Sequence, residues 1–147
     1  MTQHLSIVAD IGGTNTRVAL AKGDAIVTGS VERFRNAGNS GLEPILASYL
    51  RARDIQSARY EELGQSFITN AQASHATIEK VAEADQAGKQ LLQEAAEKLK
   101  FSARGFHRIL KVARTLADLG GEDKVGRIHL AEAISYRTAG HRFAETF

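Results

Sequence analysis

The chain has 147 residues, 43% hydrophobic and 24% charged, with a net charge of +2, which suits one ordinary soluble domain or two small ones. The charge is spread evenly, six Lys/Arg against five Asp/Glu up to residue 54 and thirteen against twelve beyond it, so the clustered basic excess of a nucleic-acid surface is missing. There is no cysteine, which excludes disulfides and thiolate metal sites, and no apolar run approaches the roughly 18 residues of a membrane helix.

The opening residues lack the basic and apolar regions of a secretory leader, and a cytoplasmic setting is expected. Residues 5–11 are a short apolar, β-branched run that ends at Gly12-Gly13. Residues 16–21 and 25–34 are further strand-like runs, separated by the hairpin chemistry of Lys22-Gly23-Asp24. Residues 36–41 are loop-forming. Ser40 and Glu43 then stand at capping-box spacing, and Pro44 falls in the first turn, where its missing N–H costs little. Leu42, Ile45, Leu46, Tyr49 and Leu50 share a helical face. Nothing breaks that helix before Gly64, which predicts a single element of about 23 residues.

Residues 65–76 are polar and small and read as a linker or long loop, and residues 78–84 as a short helix. Asp85 is placed to cap the next helix, with Leu91, Leu92, Ala95, Ala96 and Leu99 on one face. Ser102 is placed to cap another, with a stripe of Phe106, Ile109, Leu110, Ala113, Leu116 and Ala117 that ends at Gly120-Gly121. A short strand at 125–128 is expected before a last helix that faces Leu130, Ala133 and Ile134 inward, with residues 138–147 frayed. Sheet first and helices afterwards predicts an α+β fold, a β-β-β-α unit over 1–54 followed by an all-α bundle over 55–147.

Asp10-Ile-Gly-Gly-Thr-Asn-Thr-Arg-Val-Ala-Leu is the most specific stretch of the N-terminal third. Its glycines allow a tight turn between strands. In such a hairpin, backbone N–H groups and the Thr14 and Thr16 hydroxyls can face a phosphate, and Asp10 can hold Mg²⁺. The plainer alternative is a Gly-Gly hairpin with a surface aspartate. Residues 5–54 resemble the N-terminus of bacterial glucokinases, both in this motif and in Gly41-Leu-Glu-Pro-Ile-Leu-Ala-Ser-Tyr-Leu. The resemblance implies that Asp10, Gly12, Gly13 and Thr14 serve ATP phosphates and magnesium. It stops near residue 54, before the sugar cleft, orienting carboxylate and second phosphate loop that phosphoryl transfer needs.

The second set of motifs is Leu91-Leu-Gln-Glu-Ala-Ala-Glu-Lys-Leu, Phe101-Ser-Ala-Arg-Gly-Phe-His-Arg-Ile-Leu-Lys-Val-Ala-Arg-Thr-Leu-Ala-Asp-Leu and Ile128-His-Leu-Ala-Glu-Ala-Ile-Ser-Tyr-Arg. In these, residues 55–137 resemble the C-terminal helical lid of magnesium-chelatase-like AAA+ proteins, in the competence-associated ComM branch. The resemblance implies that Arg104 is the sensor-2 arginine, whose planar fork of donors reaches the ATP γ-phosphate. The lid's usual partner motifs are missing. No Gly-x-x-x-x-Gly-Lys-Ser/Thr loop and no strand ending in Asp-Glu occurs in these residues.

His107 and His129 fall in or beside apolar faces, as packed or hydrogen-bonded histidines do, and His75 and His141 fall in polar segments. Arg108, Lys111 and Arg114 form a basic stripe, with Arg51, Arg53 and Arg59 a weaker one. Such stripes are usually solvated helix faces; the alternative is docking to DNA or a neighbouring subunit.

The expectation is a non-catalytic chimera, a sensor-2 lid joined near residues 51–55 to a partial glucokinase phosphate segment whose sheet edges are left open. An ATP-dependent sugar kinase completed by another chain is one alternative, and a helical DNA- or partner-binding module is another. ATP and Mg²⁺ are implied by both resemblances, with weak or absent binding in this chain. An AAA+ core or neighbouring subunits are the expected partners, and no membrane is.

Overall fold

The computed structural model describes residues 4–144, with side chains for 4–138. It has two compact units, which meet between Gln72 and Ala73. In the first, β1 (Leu5–Ile11), β2 (Asn15–Lys22), β3 (Ala25–Ile26) and β4 (Glu32–Arg35) form one antiparallel sheet. β2 is central. β1 runs along one side of it, while β3 and β4 share the other, β4 against residues 15–18 and β3 against Ala21 and Lys22.

The strand expected over 25–34 is therefore cut in two. Gly29 turns at φ +74, a left-handed conformation that no ladder continues. The Ser30 hydroxyl takes over as acceptor for the Leu20 N–H, at 3.1 Å.

Val18 and Leu20 of β2 pack against Ile45 and Tyr49 of α1 (Leu42–Glu62), and this small cluster is the core of the unit. α1 runs unbroken through residue 54, as the missing breakers predict. Its start differs from expectation. Gly41 is the N-cap and no side chain caps the helix, so Ser40 and Glu43 do not act as a capping box. Its end follows the expected glycine. Gly64 turns at φ +66, and the N–H groups of Gly64 and Gln65 return to the carbonyls of Glu61 and Tyr60 at 2.9 and 2.8 Å.

The segment after Gly64 is not a free linker. Residues 70–72 form a 3-10 turn, and Thr69 and Asn70 are buried. The Tyr60 hydroxyl donates to Asn70 Oδ1 at 2.7 Å, and the Thr69 hydroxyl donates to the Thr28 carbonyl at 3.3 Å. Small polar residues here satisfy buried backbone, which makes the segment a strap across its own unit.

The second unit holds α2 (His75–Val81), α3 (Gln86–Lys98), α4 (Ala103–Gly120) and α5 (Arg127–Ala144). Ser74, Asp85 and Ser102 cap the first three, each side-chain oxygen accepting a backbone N–H three residues on. Gly121 ends α4 in the left-handed conformation. α4 packs on α2 and α5, and α3 packs on α5. Ile78, Leu92, Ile109, Leu110, Ala113, Ala117, Val125, Leu130 and Ala133 fill the interior.

The strand expected at 125–128 reduces to one isolated bridge between Ala84 and Val125, because α5 begins two residues later. α5 stays helical to Ala144 where fraying was expected from residue 138, while residues 145–147 lie outside the described residues. The fold is α+β, and no described helix is long and apolar enough to cross a membrane.

Candidate functional site

The β1–β2 turn places Asp10, Gly12, Gly13, Thr14 and Thr16 close together, and it is organised by a residue that the motif does not contain. Asn36, just after β4, accepts the Thr16 hydroxyl at 2.8 Å, donates its side-chain N–H to the Gly12 carbonyl at 2.7 Å and its backbone N–H to the Thr14 carbonyl at 2.9 Å. The Gly12 N–H bonds the Asn15 carbonyl at 2.9 Å. Thr16 is buried, so its hydroxyl holds the turn together instead of facing outward. Asn36→Ala is expected to cost about 1–2 kcal/mol and to speed amide exchange in the turn, as read by denaturation and hydrogen exchange. Unchanged exchange at the Gly12 N–H and at the residue 36 N–H counts against the clasp.

Asp10 is exposed, 3.8 Å from the Arg17 guanidinium. Among the described residues no three His, Asp or Glu side chains gather as a metal site. A single exposed carboxylate beside a cation does not by itself fit a resident Mg²⁺, which is held by several oxygen ligands in near-octahedral geometry. A surface depression of about 250 Å³ lies against β1 and β2, lined by Val8, Asp10, Arg17, Ala19 and Ile26 among others. Its charged residues are the Asp10–Arg17 pair, so it offers no cradle for a phosphate.

Arg104 lies in the second unit, in the first turn of α4 directly after the Ser102 cap, and it is exposed. Arg137 of α5 packs on Phe101 and Gly105 at the same end of α4. The Arg137 guanidinium lies 5.2 Å from the Phe101 ring centroid, and a Cβ added at Gly105 would come within 2.9 Å of it. Gly105 leaves the space that the arginine fills. A glycine inside a helix otherwise costs about 1 kcal/mol, and this was the readable signal for the contact. The start of α4 thus carries one exposed guanidinium, Arg104, while that of Arg137 lies over the Phe101 ring.

The basic stripe of α4 is shortened by one residue on folding. Arg108 is exposed, but Arg114 is only 1% exposed and ion-paired to Asp118 at 3.0 Å. Burial pushes the Lys111 ammonium below its ordinary pKa. Of the three residues, Arg114 alone is drawn into the interior, while Lys111 stays partly exposed.

Arg53, from the weaker cluster, is likewise internal. It pairs with Glu32 at 2.8 Å, donates to Gln56 at 2.6 Å and lies over the Tyr49 ring. His107 and His129 are hydrogen-bonded, as expected. His107 bonds Glu79 at 2.7 Å and the Ala103 carbonyl at 2.8 Å, and His129 accepts the Gly126 N–H at 3.0 Å. His75 opens α2 and stacks on His107, 3.9 Å between ring centroids. The side chain of His141 lies outside those described.

The family model described as magnesium chelatase, subunit ChlI C-terminal, matches residues 43–137. The chain is 35% identical over 109 residues to the competence protein ComM of Haemophilus influenzae, covering 74% of this chain and 20% of that protein. It is 48% identical over 46 residues to the protein YifB of Salmonella typhimurium, covering 31% of this chain and 9% of that one. It is 34% identical over 109 residues to an uncharacterized protein of Mycobacterium tuberculosis, covering 74% and 21%. The chain therefore spans about a fifth or less of the length of these relatives. The ComM likeness is longer than the whole stretch after residue 54, so it reaches back into the N-terminal third.

Proposed function

Because the chain belongs to the magnesium chelatase subunit ChlI C-terminal family, we propose that its helical unit works as the sensor-2 lid of an AAA+ ATPase and that Arg104 delivers the lid's charge to a nucleotide phosphate. The observation that carries this reading is the exposed Arg104 in the first turn of a capped helix within the matched segment. A guanidinium offers paired donors to phosphate oxygens, and the helix N-terminus favours the same anion. The P-loop and catalytic carboxylates lie outside these 147 residues, in an AAA+ core that the lid covers. ATP and Mg²⁺ are bound there, and the lid contributes the arginine.

The test adds the purified full chain to an AAA+ core of the family that lacks its own lid. The expected result is restored ATP turnover that falls about 100-fold with Arg104→Ala. Equal turnover with and without the arginine removes the sensor role.

The N-terminal segment, residues 1–54, we assign to a truncated glucokinase-like phosphate hairpin joined to the lid. Its support is the Asp10-Ile-Gly-Gly-Thr sequence and the exposed tight turn into which those residues fold. The proposed joint near residues 51–55 falls inside α1, and residues 43–54 belong to both likenesses.

A further inference from the structure

β1 is paired on one side only. All seven of its residues are exposed, Leu5, Ile7, Val8 and Ile11 among them, and no described residue pairs with its outer edge. Which backbone groups face outward follows from the turn. The Gly12 N–H bonds the Asn15 carbonyl, and hydrogen-bonded pairs alternate along an antiparallel ladder, so Ser6, Val8 and Asp10 aim their amides at β2. Leu5, Ile7, Ala9 and Ile11 aim theirs away. Leu20, the β2 partner of Ile7, agrees with this: its N–H goes to Ser30, on the side away from β1.

Natural edge strands are guarded by Pro, Lys, bulges or short length. β1 has none of these: its register to β2 is continuous and its one charge, Asp10, is ion-paired with Arg17. We propose that β1 is a dimerisation edge, at which a second copy of this chain pairs antiparallel with the first about a two-fold axis at Val8.

Self-complementarity selects this occupant. With the axis at Val8, Leu5 meets Ile11 of the copy and Ile7 meets Ala9, so every outward amide and carbonyl of both strands is used. Any other in-phase register leaves some unpaired. Val8 faces itself as a non-hydrogen-bonded pair, where side chains come closest. Asp10 faces Ser6, which puts the two carboxylates at opposite ends of the ribbon. On the far side of β2 the outer edges belong to β3 and β4, two and four residues long and too short to template further strands, so closing β1 by two-fold symmetry ends at the dimer.

Sedimentation equilibrium of the full chain over roughly 1–500 µM is expected to show the mass rising from one copy to two. Ala9→Pro removes an outward N–H and spares the β2 ladder, so it is expected to weaken association at least ~10-fold with an unchanged far-ultraviolet spectrum. Val8→Lys sets two ammonium groups face to face and is expected to give salt-restored association. Ser6→Lys sets an ammonium opposite Asp10 of the copy and is expected to tighten association about 2- to 5-fold. A monomer across the whole range overturns the proposal. So do undiminished association in Ala9→Pro, weakening in Ser6→Lys, or growth past the dimer.

Discussion

Arg114→Ala is expected to destabilise the helical unit by about 3–5 kcal/mol, read from the helical circular-dichroism signal of the full chain in denaturant. The size follows from what the guanidinium holds. It pairs with Asp118 at 3.0 Å, and it donates to the carbonyls of Glu122 and Asp123 at 2.6 and 2.8 Å and of Val81 at 3.5 Å. One side chain thus ties the end of α4, the turn that leads to α5 and the end of α2.

Truncation leaves the Asp118 carboxylate, whose side chain is 0% exposed, without its counter-charge. Arg114→Lys is expected to recover less than half of the loss, since an ammonium cannot reach acceptors set out along a planar fork. Arg114→Met combined with Asp118→Leu removes both charges and is expected to be less damaging than Arg114→Ala alone. A loss below about 0.5 kcal/mol for Arg114→Ala, the range of ordinary surface changes, rules out this role.

Local chemistry carried most of the secondary structure. Asp85 and Ser102 cap the helices expected of them, Gly64 and Gly121 end theirs, and Gly23-Asp24 turns the hairpin. Those signals lie within a few residues of the feature that they specify. The failures lie where polar side chains fold inward. Periodicity put Arg108, Lys111 and Arg114 on one stripe, yet Ala113 and Ala117 leave room for a guanidinium beside them, and Asp118 waits one turn on. That i, i+4 pair next to small residues was the readable hint. Arg53 offered none, because its partner Glu32 is 21 residues away. Asn36 was equally hidden, since a turn held from outside its own motif cannot be read from that motif. β1 was legible in both respects: its apolar, β-branched run forms the expected strand, and among the described residues its outer edge is left open, as expected.

The strap after Gly64 gives the second large effect, through Gly29. This residue sits at φ +74, where a side chain costs about 1–2 kcal/mol in any surroundings. A Cβ there would also stand 2.3 Å from Ala71 Cβ and 3.1 Å from Thr69 Oγ1, so either the strap or the 27–31 loop must shift, at about 1–3 kcal/mol more. Gly29→Ala is therefore expected to cost about 2–5 kcal/mol in the N-terminal unit.

Gly23 separates the two contributions. It turns at φ +59 with nothing within 4 Å of its added Cβ, so Gly23→Ala is expected to show the backbone cost alone. Adding Ala71→Gly to Gly29→Ala removes the other half of the clash and is expected to return the loss toward that of Gly23→Ala. Coupling of this kind between residues so far apart in sequence requires that residues 65–72 pack on their own unit. Equal losses for Gly23→Ala and Gly29→Ala, with no rescue by Ala71→Gly, would return the segment to the free linker that its composition suggests.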